Sequence, residues 1–165
     1  MTLDPYQAPD GAGIGHVHLK VADIDRSLAF YQGVLGFALI VRMGDSAAFV
    51  SAGGYHHHIG LNTWHSRGAS PPPPAHTGLY HFAIRYPSRR ELAIAVRRLI
   101  DAGIRLHGVA DHGVSESIYL ADPDGNGIEL TWDRPPAEWP RTPGGEIDMR
   151  MADPLDLDAL LHEAE

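Results

Sequence analysis

Three ionisable residues stand where an apolar environment penalises them: His16 in Gly15-His16-Val17-His18-Leu19, His81 in Tyr80-His81-Phe82-Ala83-Ile84, and Glu129 in Gly127-Ile128-Glu129-Leu130. Each interrupts an apolar run of strand character. A charge there is destabilising unless it is paired, hydrogen-bonded or bound to a metal. Two imidazoles and one carboxylate form a donor set that leaves part of a coordination sphere open, which suits a divalent metal and especially a non-haem Fe(II) that activates oxygen. The set points to an enzyme. The chain has no cysteine, so thiolate ligands, cysteine nucleophiles and disulfides are excluded, and any metal is held through nitrogen and oxygen.

The elements that must position these residues read twice through one plan. Residues 14–21 alternate, with Ile14, His16, His18 and Lys20 on one face and Val17, Leu19 and Val21 on the other, as in a half-buried strand. Asp23 can cap a short helix running through Phe30 and Tyr31, with Gly36 just past its end. Strands are predicted near 37–43, 46–52 and 56–63. After Gly78 the order returns: a strand at 79–86, a Ser88-x-x-Glu91 capping box, and a helix whose apolar stripe is Leu92, Val96, Leu99 and Ile100, ended by Gly103. Strands near 104–109, 115–121 and 127–132 complete the second unit.

The pattern predicts an α+β fold of two βαβββ modules, about 13–64 and about 79–133, whose strands form a curved mixed sheet around a metal-binding cavity. His16 and His81 occupy the same place in the first strand of their modules, and Gly60 stands where the second module has Glu129. A symmetric site would have four ligands, and this one has three. Residues 65–78 contain the run Pro71–Pro74 and form a stiff extended connector. The single domain is expected to occupy 1–140, followed by an acidic tail over 141–165. In that tail Leu157, Leu160 and Leu161 can form one face of a short helix, docking on the domain or on a second subunit.

Bulk properties narrow the class of partner. The 165 residues carry a formal charge of −8, which argues against nucleic acid or an anionic membrane surface and for a small-molecule ligand. No run of 18 apolar residues is present to span a bilayer, and the first ten residues lack the basic and apolar regions of a signal peptide. A cytoplasmic location is expected.

Several stretches together resemble the vicinal oxygen chelate superfamily, and within it the extradiol, catechol 2,3-dioxygenase-like branch. They are Gly15 to Asp23, Leu28 to Phe37, His56 to Leu61, Tyr80 to Ile84 and Tyr119 to Leu130. The resemblance implies that His16, His81 and Glu129 hold Fe(II), less often Mn(II) or another divalent ion, and that the partners are an aromatic diol and dioxygen. It also implies an acid–base histidine, for which motif matching selects His57. Strand alternation from Gly60 points instead to His58 and His56, and the two arguments stand opposed. Tyr119 matches a tyrosine that hydrogen-bonds substrate oxygen, and His112 resembles a histidine upstream of it, at shorter spacing than the family pattern. A homodimer or higher homo-oligomer is expected.

Two competing chemistries share this scaffold. One is a metal-dependent isomerase or lyase acting on a vicinal hydroxy-carbonyl compound, and the other a binding or resistance protein without catalysis. His18, His65, His76, His107 and His162 read as ordinary core or surface histidines. Asp122-Pro123-Asp124-Gly125-Asn126-Gly127 imitates the first half of a calcium loop, but Asp133 at its twelfth position and its strand flanks make it a tight turn.

Overall fold

Alternating burial decides which way each strand faces. In the computed structural model, which describes residues 5–73, 75–151 and 153–165, β1 (Val17–Lys20) turns Leu19 into the core and leaves His18 and Lys20 exposed on the other face. Asp23 caps α1 (Ile24–Leu28) by accepting from the Arg26 N–H at 2.9 Å. That helix continues as a π-helical segment, Ala29–Val34, which buries Phe30 and Tyr31. Gly36, at φ 81°, takes the left-handed turn that a side chain resists and releases the chain into β2 (Ala38–Met43), β3 (Ala47–Ser51) and β4 (Ile59–Asn62).

The second module repeats this order with β5 (Phe82–Arg85), α2 (Arg89–Asp101), β6 (Gly108–Asp111), β7 (Ser115–Ala121) and β8 (Gly127–Asp133). Ser88 caps the helix by accepting from the Glu91 N–H, and the Glu91 carboxylate turns back to accept from the Ser88 hydroxyl instead of from its backbone N–H as a capping box would. The helix buries Leu92, Val96 and Leu99 completely, while Ile100 stays partly exposed. One expected strand is displaced: 104–109 gives way to a strand beginning at Gly108. Ile104 donates back to the Leu99 carbonyl at 2.9 Å and thereby closes the helix, and Ile104 and Leu106 pack on the core as a connection.

The strands form two mixed four-stranded sheets, ordered β1-β4-β3-β2 and β5-β8-β7-β6, and among the described residues no ladder runs from one sheet into the other. In each, the first and last strands of the module pair in parallel and the rest are antiparallel. What unites the modules is a continuous apolar core containing Leu19, Tyr31, Ile59 and Leu61 from the first, and Leu92, Leu99, Ile118 and Leu130 from the second. Burial of this kind is the main stabilising term in folding.

Polar latches fix the relative placement of the modules. Tyr31 donates to the buried Asp122 at 2.8 Å, and Arg98 reaches the carbonyls of Gly33 and Val34 at 2.8 Å each. The other Asp122 oxygen accepts from the backbone of Asp124 and Asn126, and the Asn126 side chain also donates to the carboxylate. These bonds make the calcium-like sequence a turn whose Asp122 carboxylate is held by the protein's own donors. The tail returns along the second module, and α3 (Leu157–His162) buries Leu160 completely against α2. Among the described residues no helix is long and apolar enough to cross a membrane.

Candidate active site

The register of the second sheet brings its polar residues together. Ala83 of β5 is opposite Glu129 of β8, which is in turn opposite Tyr119 of β7. These residues therefore share the sheet face turned away from the helices. His81, just ahead of β5, extends that row. Its Nε2 is 3.1 Å from Glu129 Oε2, and the pair is largely shielded, with side-chain exposures of 31% and 14%. The close approach depends on Gly127, where a Cβ would sit 2.1 Å from the Tyr80 carbonyl oxygen.

Tyr119 and His112 extend the cluster. The Tyr119 hydroxyl is 3.2 Å from Glu129 Oε1 and 2.7 Å from His112 Nε2. The seven-residue spacing thus delivers His112 to Tyr119, because β6 ends at Asp111 and the turn at Gly113 (φ 77°) swings the intervening residue inward. Burial and the neighbouring Glu129 carboxylate push the Tyr119 phenol above its ordinary range. Tyr119 therefore remains a proton donor at neutral pH.

His16 lies outside this cluster. Its ring rests against His57, with centroids 4.4 Å apart, and among the described residues no three His, Asp or Glu side chains are gathered into a metal-holding group. The expected convergence of His16 with His81 and Glu129 is thus only partly present. β5 and β8 are hydrogen-bonded neighbours that force their residues together, whereas β1 belongs to the other sheet. His16 borders a cleft of about 690 Å³ between the facing edges of the modules, together with Phe82, Ala83 and Arg85.

Local geometry gives His57 and His58 different surroundings. β4 starts only at Ile59, so strand alternation does not extend back through the three histidines. His58 is turned to Ser51 Oγ at 2.9 Å and the Ala52 N–H at 3.3 Å. His57 lies instead beside His16 and edge-on to Phe49, with centroids 5.1 Å apart. Its partial burial, with His16 and the other nearby histidines, holds its imidazole below the usual range, favouring the neutral ring.

Sequence reasoning missed the aromatic floor of this half. Phe49 is opposite Gly60 just as Tyr119 is opposite Glu129, so the first module keeps the plan with the carboxylate and phenol removed. The space is taken by His18, whose ring is 2.9 Å from where a Gly60 Cβ would be and makes aromatic contacts with Phe49 and Trp64. Carrying the repeat one strand further, to 47–51, would have found this pairing.

The donor chemistry can be tested against a metal without further assumption. Two donors bound cis to one divalent ion, each about 2.1 Å from it, lie about 3 Å apart. The His81–Glu129 spacing of 3.1 Å meets that requirement. Glu129 Oε1 is already engaged by Tyr119, leaving Oε2 as the oxygen that could ligate. The pair fits one edge of a coordination sphere.

Known proteins resemble this chain in sequence and in fold. Residues 13–130 match the family model for the Glyoxalase/Bleomycin resistance protein/Dioxygenase superfamily. The chain is 43% identical over 151 residues to a catechol-2,3-dioxygenase of Bacillus subtilis (strain 168), covering 92% of this chain and 52% of that protein. It is 32% identical to biphenyl-2,3-diol 1,2-dioxygenase 3 of Rhodococcus globerulus, covering 73% and 63% of the two chains. The chain thus spans about half to under two thirds of the length of these relatives. Among solved structures, a glyoxalase/dioxygenase from Nostoc punctiforme superposes with a TM-score of 0.64 at 21% identity, over 81% of this chain and all of that one, which bears on the fold alone.

Proposed function

The chain belongs to the glyoxalase/bleomycin resistance protein/dioxygenase superfamily, and within it we propose that it is an Fe(II)-dependent extradiol dioxygenase cleaving a catechol-like aromatic diol. The observation that carries this reading is the row His112–Tyr119–Glu129–His81, joined by two hydrogen bonds and one His–carboxylate contact, which presents two metal donors 3.1 Å apart beside a protonated phenol. Relatives at 43% and 32% identity that are named for cleavage of catechol and biphenyl-2,3-diol support the choice of substrate class.

In this reading His81 and Glu129 hold the metal, and His16, which borders the cleft beside Phe82 and Ala83, the residues that follow His81, supplies the third ligand. Fe(II), when bound, supplies Lewis acidity toward a vicinal diol and redox chemistry toward dioxygen. The neutral His57 takes up a hydroxyl proton from the diol and later returns it as a general acid. Phe49, His18 and Trp64 offer aromatic faces and edges to a planar ring. Tyr119 donates to the substrate oxygen on the opposite side and orients the ring. Gly60 speaks against an isomerase built on four ligands, because it brings no carboxylate and its side-chain space is filled by His18.

Metal content is the direct test of the assignment. Protein loaded anaerobically with Fe(II) and desalted should retain one iron per chain, and Glu129→Gln, His81→Ala and His16→Ala should each lose most of it. Equal iron in all four proteins would overturn the ligand set.

A further inference from the structure

The tail beyond residue 140 lies outside the family match, which ends at 130, yet it reaches the cluster just described. After Trp139, whose indole donates to the Arg134 carbonyl at 2.7 Å, Pro140 packs against the turn between β6 and β7. A Cβ on Gly113 would be 2.8 Å from Pro140 Cγ, so the turn accepts the tail only with glycine there. The chain then reverses through a small loop, closed by a bridge between Arg141 and Ile147, and runs antiparallel beside β6. Asp111 and Asp153 exchange both backbone hydrogen bonds, at 2.9 and 3.1 Å, and the Arg150 N–H donates to the His112 carbonyl at 3.0 Å. The tail thus pairs with an otherwise open sheet edge.

At this junction the Arg150 carbonyl oxygen is 2.7 Å from His112 Nδ1. A carbonyl can only accept, so Nδ1 carries a proton. The other ring nitrogen, Nε2, faces the Tyr119 hydroxyl at 2.7 Å. With Nδ1 held in this way, Nε2 is the nitrogen that faces the site. A neutral ring accepts from Tyr119. A doubly protonated ring donates to Tyr119, whose own proton is then free for Glu129 Oε1 or for a substrate oxygen. Without the carbonyl, the neutral ring could change tautomer and direct a bare nitrogen away from the phenol.

We propose that residues 141–151, with Asp153, are a positioning strap for the active site, in which the Arg150 backbone carbonyl fixes the tautomer and orientation of His112 and, through it, the Tyr119 hydroxyl. The inference rests on the dioxygenase reading for its effect on turnover but not for the lock itself. Arg150 is a positioning residue that acts through its main chain. Its side chain pairs with Asp153 at 2.8 Å and contributes no atom to the site.

The lock can be read directly by nitrogen-15 NMR of the His112 ring in the full chain. The expected result is a proton on Nδ1 in the wild type, retained in Arg150→Ala. In Arg150→Pro, which removes the N–H bonded to the His112 carbonyl and shifts the strap, the ring should become a mixture of tautomers. The same variant should lose roughly tenfold in kcat with KM within about twofold, the scale of one hydrogen bond to a charged partner. It should add little further loss in a His112→Ala background, since both changes act through the same ring. A wild-type His112 protonated only at Nε2 overturns the proposal, even if Arg150→Pro fails to fold. Equal losses from Arg150→Pro in the presence and absence of His112 also overturn it, by making the strap merely structural. If no diol is turned over, the dioxygenase reading falls while the NMR result still decides the lock.

Discussion

Tyr119→Phe removes one oxygen atom from the centre of the polar row and leaves the ring in place. That oxygen bridges His112 Nε2 at 2.7 Å and Glu129 Oε1 at 3.2 Å. A hydrogen bond to a charged group is worth about 1.5–3 kcal/mol. If the phenol donates to the substrate oxygen as negative charge develops there, its loss should lower kcat by roughly 10- to 150-fold. KM should move by less than about threefold, because the interaction is made chiefly in the transition state. Iron content should stay close to wild type, since Glu129 Oε2 and His81 are untouched. Steady-state oxygen consumption, run beside iron analysis on the same preparation, separates these effects. A variant with full iron and a kcat within twofold of wild type would refute the assignment of Tyr119, and one that loses iron as completely as Glu129→Gln would show that the phenol supports the metal.

Other perturbations test the supports of the site. Gly127→Ala puts a Cβ 2.1 Å from the Tyr80 carbonyl, so His81 must move and iron retention should fall along with thermal stability. Unchanged iron would show that the close approach does not position His81. Tyr31→Phe leaves the buried Asp122 without its inter-module donor and should lower unfolding stability by about 1–3 kcal/mol in a urea titration, with little change in kcat. Burial pushes the Tyr86 phenol up to about 12, while an unfolded tyrosine titrates near 10. Above pH 10 the unfolded state therefore binds fewer protons, and the contribution, present in full below that pH, should be lost as pH rises to about 12. Stability curves for wild type and Tyr86→Phe that fall with the same slope above pH 10 would contradict this.

Local signals made most of the scaffold readable. The faces of residues 14–21, the caps at Asp23 and Ser88, and the glycine stops at Gly36 and Gly103 depend on neighbours a few residues away, and each appears where its chemistry requires. The displaced β6 shows the limit, because Ile104 and Leu106 look like strand residues until the end of α2 claims the first and the core the second. The different surroundings of His57 and His58 turn on where β4 begins, a boundary that periodicity defines poorly. The equivalent places of His16 and His81 in their modules were legible from the repeat, but His16 lies outside the His81–Glu129 cluster, whose closeness follows from the parallel pairing of β5 and β8. The aromatic floor and the Arg150 contact were harder to see. The first needs cross-strand register, and the second depends on a backbone carbonyl whose position no side-chain pattern reports.

Oxygen consumption by the iron-loaded protein tests the central claim most directly. Full chain loaded anaerobically with Fe(II) and mixed with catechol should, on admission of air, consume one dioxygen per diol as a yellow ring-opened product forms, and Glu129→Gln should do neither. A wild-type protein with a full complement of iron that consumes no oxygen with catechol, methylcatechols or biphenyl-2,3-diol, or a Glu129→Gln variant that matches it in turnover, would contradict the account.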